Sequence, residues 1–229
     1  MRYLYHVLPA TVEIAGEQLL LHPHRALWWA RMQWLIVADL HLGKAAHFRK
    51  AGIPLPEGSD AVTLARLDAL IQDLRPAMVL LLGDLFHSTH NRQWQVFSQW
   101  CRAQQVPVHL VIGNHDILAD RWYEEACLHV HSDTVEEGPF VFMHEPAERP
   151  GTYVIAGHVH PGVKLQGLVH GSMRLPCFLF GERQGLIPAF GTNTGLFIMQ
   201  PAITDRVFAV TERSVLDVTT GMERARQTR

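Results

Sequence analysis

The sequence predicts an α/β first half and α+β character in the second, on three observations. Between residues 34 and 112, short apolar runs ending at Asp or Gly alternate with helix-like stretches. Beyond residue 128, short apolar runs follow one another with no helical spacing between them. No linker rich in Pro, Ser or Gly interrupts the chain, and its 229 residues, 48% hydrophobic, can bury one substantial core. A single domain is expected over 1–220, with a mobile basic tail over 221–229 carrying Arg224, Arg226 and Arg229.

The elements follow in order. The opening alternates apolar runs with turn residues, giving strands at 4–8, 11–14, 18–21 and 26–30 in a small meander. Residues 34–38 are a buried strand ending at Asp39. Residues 43–56 form a loop holding Lys44, His47, Arg49 and Lys50 and closed by two prolines. Ser59 or Asp60 then caps a helix whose Leu64, Leu67, Ile71 and Leu74 keep helical spacing, and Arg75-Pro76 ends it. Residues 78–82 are a strand leading into Gly83-Asp84. A second helix is expected at 93–104 with Val96, Phe97 and Trp100 on one side, then a strand at 106–112. Such alternation implies right-handed crossovers and a parallel core, with ligands outside the carboxyl ends of the strands. The later runs, at 140–143, 153–156, 173–180, 186–190, 195–199 and 207–210, predict a mostly antiparallel sheet packed on the first.

Five motifs stand just past these strands. Asp39-Leu40-His41 comes first; two residues apart on extended backbone share a side, so both can reach one cation. In Gly83-Asp84 the carboxylate has two oxygens and can bridge two cations, while Gly83 lets the backbone come close. Gly113-Asn114-His115-Asp116 offers an amide oxygen at Asn114. Its His115 is aimed at a leaving-group oxygen or a metal, and Asp116 orients a partner or caps a helix. His144 and Gly157-His158-Val159-His160 add imidazoles. Each motif alone has an ordinary reading as a turn or a surface group. The ordered set at successive strand ends is what points to two divalent ions held side by side, the arrangement that polarises a phosphoryl group and activates water. Mixed His, Asp and Asn donors suit Mn²⁺, with Fe or Zn as alternatives.

The remaining polar groups divide by context. His87 and Arg92, with Lys44, His47 and His90, fall in or beside loops expected to flank the site. Lys44, Arg49, Lys50 and Arg92 can guide a nucleic-acid backbone or simply solvate the surface. His6, His22, His24, His109, His129, His131 and His170 have no motif context. Net charge is −2, so the chain does not coat nucleic acid by charge alone. Three scattered cysteines without a C-x-x-C pair suit a reducing compartment, and no apolar run is long enough for a bilayer. With no signal-like start, a cytoplasmic location without membrane contact is expected.

The ordered set D-x-H, G-D, G-N-H-[DE], H and G-H-x-H over residues 39–160 resembles the calcineurin-like metallophosphoesterases. Asp39-Leu40-His41-Leu42-Gly43-Lys44, Gly52-Ile53-Pro54, His144-Glu145-Pro146, Leu175-Pro176-Cys177-Phe178 and Pro188-Ala189-Phe190-Gly191 are similar to the bacterial DNA-ligase-associated branch. The resemblance implies a two-sheet αββα sandwich of the metallophosphoesterase type. It implies one metal on Asp39, His41, Asp84 and His160, a second on Asp84, Asn114, His144 and His158, and His115 as the catalytic imidazole, with Asn114 and Asp116 assisting. It further implies phosphodiester hydrolysis on DNA as an endonuclease or phosphodiesterase, and a functional link to the DNA ligase, helicase and exonuclease of a repair system. Many family members carry a further Asp three residues after the Gly-Asp motif; here that place is His87, as in the nuclease branch. Lys44, His87 and Arg92 are the substrate-contact candidates. The competing readings are hydrolysis of a small nucleotide ester and a metal-bearing scaffold without catalysis. His115 argues against the scaffold.

Overall fold

The computed structural model describes residues 7–45, 48, 58–86, 91–166, 171–192 and 194–220. The expectations for residues 1–6, for His47, Arg49, Lys50 and the Gly52-Ile53-Pro54 turn, for His87 and His90, for His170 and for the tail 221–229 lie outside these residues.

Two sheets pack face to face. The first has seven strands in chain order: β1 (Ala10–Ile14), β2 (Glu17–His22), β3 (Ala26–Trp29), β4 (Trp34–Ala38), β5 (Met78–Leu82), β6 (Val108–Val111) and β7 (His129–His131). β1 to β4 form the expected antiparallel meander, and β4 to β7 run parallel. β5 is buried at every residue, as a parallel strand covered on both faces must be. One face meets the second sheet through Ile36, Leu80, Leu82 and Trp29, packed against Phe140, Phe142, Phe178, Phe180 and Phe208. The other face, with Leu35, Val37, Val79, Leu81 and Leu110, receives three helices among the described residues: α1 (Ser59–Leu74), α2 (Arg92–Ala103) and α3 (Asp120–Glu125).

The helices follow the apolar spacing with local corrections. α1 buries Leu64, Leu67 and Leu70 and ends at Arg75. Neither Ser59 nor Asp60 caps it; the N-cap is Gly58 at φ 82°, and the Asp60 carboxylate instead accepts the Gly43 N–H at 3.1 Å. α2 is capped by Asn91, whose side chain accepts from the Gln93 and Trp94 amides at 2.9 and 3.3 Å. Its buried face is Trp94, Phe97, Ser98 and Cys101, whereas Val96 is exposed. α3 was not expected from the sequence, being too short for its periodicity to show.

The second sheet runs β14 (Phe197–Ile198), β11 (Pro161–Gln166), β12 (Ser172–Phe180), β13 (Gln184–Leu186), β10 (Tyr153–Ala156), β9 (Phe140–Met143) and β8 (Thr134–Glu137), with β15 (Arg206–Val210) and β16 (Val215–Asp217) branching from β12. Most of its pairings are antiparallel, as expected, but β9, β10 and β13 are mutually parallel, which makes the sheet mixed. The crossover from β9 to β10 is a loop over 144–152 holding Pro146, Pro150 and Gly151, so no helical period advertised it. Its consequence is that β9 and β10 deliver their carboxyl ends to the same place as β4, β5 and β6.

Among the described residues, no helix is long and apolar enough to cross a membrane. Cys101, Cys127 and Cys177 are free thiols.

Candidate metal centre

All five motifs converge. β4 hands over to Asp39 and His41, β5 to Asp84, β6 to Asn114, β9 to His144 and β10 to His158 and His160. The first sheet's pairing continues past its strand ends, with the Asp39 N–H donating to Gly83 O at 3.2 Å and His41 N–H to Asp84 O at 2.9 Å. The second sheet joins through the Gly157 N–H to His144 O at 3.1 Å.

The motif pairs do not lie on extended backbone. Asp39, His41, Asp84, His158 and His160 all have positive φ, between 48° and 65°. The left-handed turn at each residue bends the chain so that its side chain points inward, which corrects the reasoning from strand geometry. Such conformations cost about 1–2 kcal/mol for a residue with a Cβ, and they cluster where function over-determines the backbone.

Two groups of donors result. Asp39, His41 and His160 form one, and Asp84, His144 and His158 the other, each with its ligand atoms within 4.8 Å of one another. In the first, His41 Nε2 and His160 Nε2 approach to 3.0 Å, and Asp39 Oδ1 lies 3.6 Å from His160 Nε2. In the second, His144 Nε2 lies 3.0 Å from Asn114 Oδ1, 3.1 Å from His158 Nδ1 and 3.3 Å from Asp84 Oδ1. The other oxygen of Asp84 lies 3.7 Å from His41 Nε2. One carboxylate therefore reaches towards both groups, one oxygen to each.

The supporting contacts fix these donors. His144 donates its Nδ1–H to Leu82 O at 3.0 Å, leaving Nε2 with a free lone pair at the centre. Asp39 is fully buried and its carboxylate accepts the His158 N–H at 2.9 Å. A Cβ on Gly83 would stand 2.3 Å from His144 Nδ1, so only glycine lets this ring pack against the strand end. Buried imidazoles crowding together with two carboxylates and an amide oxygen are a donor set that two divalent ions fit and that protons alone would leave strained.

The other candidates fall into place unevenly. His115 Nε2 is 4.0 Å from Asp84 Oδ2 with 44% of its side chain exposed, and its backbone N–H donates to Asp84 Oδ1 at 3.0 Å. Asp116 caps no helix, since α3 begins four residues later with Ala119 as its N-cap. Its buried carboxylate accepts the Gly113 and Phe86 amides at 2.9 and 3.2 Å. Burial pushes the Asp116 carboxyl up to about 7, against the pull of those two amides. Lys44 shares a crevice with His41, Asp60, Thr63 and Thr192. Burial lowers its ammonium, while the charges of Asp84 and Asp39 raise it. Arg92 opens α2 and is exposed, and no ion pair or hydrogen bond among the described residues ties it to the cluster. Gly191 was not singled out for the site. It packs on the Leu40 carbonyl, where a Cβ would come to 2.5 Å, and its N–H donates to Asp39 O at 3.0 Å. The Pro188-Ala189-Phe190-Gly191 run, which has no ligand chemistry, was the only signal for it.

The calcineurin-like phosphoesterase family model matches residues 32–144. A solved structure, the nuclease MPE of Pseudomonas putida, is 32% identical, with a TM-score of 0.77 over 91% of this chain and 100% of that one. The chain belongs to the calcineurin-like phosphoesterases. The E. coli phosphoesterase Yfce is 15% identical over 80% of this chain and 96% of its own, TM-score 0.42. A protein of unknown function from Aquifex aeolicus is 21% identical over 56% and 78%, TM-score 0.41. No curated protein matches. Calcineurin-like phosphoesterases hydrolyse phosphoester bonds with a dinuclear divalent metal site, and the two donor groups described above correspond to such a pair. His158 and His160 lie beyond the matched segment, on the second sheet's contribution to this calcineurin-like site.

Proposed function

We propose that this chain is a dinuclear metal-dependent phosphodiesterase that cuts DNA. The observation that carries the proposal is Asp84, whose Oδ2 lies 3.7 Å from His41 Nε2 and whose Oδ1 lies 3.3 Å from His144 Nε2. A carboxylate shared in this way belongs between two cations. Asp39, His41, Asp84 and His160 would hold one ion, and Asp84, Asn114, His144 and His158 the other. Nitrogen-rich donors favour Mn²⁺, then Fe or Zn. When bound, the pair polarises the phosphoryl group and lowers the pKa of the attacking water.

The chain's own groups do the rest. His115, the most exposed imidazole of the cluster, donates a proton to the leaving oxygen from its seat beside Asp84. Asn114 helps hold the nonbridging oxygens, and Lys44 draws the phosphate into the crevice. Asp116 keeps the Gly113 turn in register. Support for a nucleic-acid substrate comes from the likeness to the Pseudomonas putida nuclease over the whole of that chain. DNA is thus the partner proposed, with DNA ligase, helicase and exonuclease of a cytoplasmic repair system acting beside it.

The test is turnover with Mn²⁺ on linear, nicked and single-stranded DNA, 2′,3′-cyclic nucleotides and a chromogenic diester. Hydrolysis of the small esters alone removes the nuclease reading. His115→Ala is expected to keep its metals, by elemental analysis, and to lose about 10²–10⁴-fold in kcat on the chromogenic diester. An unchanged kcat overturns the role of His115.

A further inference from the structure

Beside the metal centre lies a cavity of about 450 Å³ whose lining includes Arg25, Arg66, Arg174, His24, Thr194 and Glu212. Three guanidiniums face one carboxylate there, and none of them forms an ion pair among the described residues. Arg25 spends one nitrogen on the carbonyls of Ala189 and Gly191, both at 3.2 Å. Arg66 donates to the Phe190 carbonyl and lies 4.2 Å over the Phe190 ring. Arg66 Nε and His24 Nδ1 are buried without a hydrogen-bond partner. A buried polar group left without a partner destabilises the fold unless a ligand or water pairs with it. Burial first, and the charge of Arg25 second, push the Arg66 guanidinium down to about 10. Asp73 acts on His24 only at a distance, and Glu212 is exposed.

Two elements join this cavity to the crevice at His41 and Lys44. On α1, Thr63 lines the crevice and Arg66 the cavity, a rise of about 4.5 Å along one helix face. In the segment after Gly191, Thr192 lines the crevice and Thr194 the cavity, at most about 7 Å apart between Cα atoms. Successive phosphates of a strand advance about 3.4 Å along a B-form axis, so a chain whose scissile phosphate sits at the metals can place a later phosphate among the arginines. Planar guanidinium forks are suited to bidentate contact with phosphate oxygens.

We propose that Arg25, Arg66 and Arg174 form a phosphate subsite that binds the backbone of the polynucleotide substrate away from the bond being cut. The subsite rests on the nuclease reading above. It gives an acidic chain the local cationic patch that nucleic-acid binding requires.

The experiment compares Arg174→Ala, Arg66→Gln and the double variant with the parent. Arg174 is exposed and its side chain forms no hydrogen bond or ion pair among the described residues, so its variant stands even where Arg66→Gln loosens the Phe190 turn. Binding of a fluorescent single-stranded oligonucleotide is measured across salt on the metal-loaded His115→Ala background. Turnover of the chromogenic diester and of the oligonucleotide is measured with His115 intact. The double variant is expected to weaken oligonucleotide binding about tenfold or more and to reduce the salt slope by about 1–2. The ratio of kcat/KM for oligonucleotide over diester falls by the same factor. Unchanged affinity and slope overturn the subsite, and so does a parallel loss on both substrates, which marks the arginines as structural. If inorganic phosphate raises the parent's Tm but not the double variant's, while oligonucleotide binding stays intact, the cavity serves free phosphate and the assignment to substrate fails. If the parent cuts only the diester, the nuclease reading fails, and the subsite is judged on the binding curves alone.

Discussion

At Gly83 the site depends on a missing side chain. Its φ is 67°, and a Cβ would sit 2.3 Å from His144 Nδ1. Gly83→Ala is expected to push His144 off its Leu82 carbonyl, with loss of one of the two metals by elemental analysis and about 1–3 kcal/mol of stability in urea. Full metal content in that variant would overturn the packing argument. The ligands themselves were legible because Asp, His and Asn carry chemistry that apolar neighbours do not. Their backbone was not: nothing in Asp39-Leu40-His41 distinguishes two left-handed residues from an extended pair. Asp116 was legible as part of a motif and not as a clasp, because its partners are backbone amides of Gly113 and Phe86.

Elements were read best where one period held long enough. Met78–Leu82 and the helix Ser59–Leu74 were placed within a residue or two, since an unbroken apolar run and a four-turn stripe are each unambiguous. The edges were missed. His129–His131 and Thr134–Glu137 are short, polar and half-covered, and edge strands need little hydrophobic pattern to pair. β7 also creates a cluster that no motif announced. His109 lies stacked on His129 and His131, at 4.6 and 5.2 Å between ring centroids, with its Nδ1 2.9 Å from His131 Nε2. Burial and the two neighbouring rings lower His109 to about 4. Above about pH 6.5 the ring is neutral folded and unfolded. As pH falls from there towards 4 the unfolded chain takes the proton first, so stability is lost across that window. With chelator present to remove the pH dependence of metal binding, the urea midpoint is expected to fall between pH 7 and 5, and that of His109→Gln to fall less. Equal slopes for the two proteins would rule this out.

The whole molecule has its chemistry at the seam of its two sheets. Asp39, His41, Asp84 and Asn114 come from one sheet, and His144, His158 and His160 from the other, so bound ions tie the halves together. Chelation is therefore expected to lower the Tm of the entire chain in one cooperative step. Each site contributes about 2.7 kcal/mol when metal stands a hundredfold above Kd, roughly 5–10 °C for a chain of this size. A Tm indifferent to chelator would show that the sheets hold together without the ions, and a transition split in two would show that they unfold as separate units. That the halves must meet was readable from motif order alone. How they meet was not, because the parallel pairing of β9 with β10 hides in a loop that carries no periodic signal.

The left-handed turns at Asp39, His41, Asp84, His158 and His160 also shorten the alphabet from which this centre can be rewritten. Aspartate, asparagine and histidine are the side-chain-bearing residues most enriched in such backbone. Glutamate offers the same carboxylate, but it is not among the residues favoured in that conformation and its longer stem would overshoot. Drift or design that retunes the metals is thus channelled into exchanges among three amino acids, at positions where chemistry and conformation select the same letters.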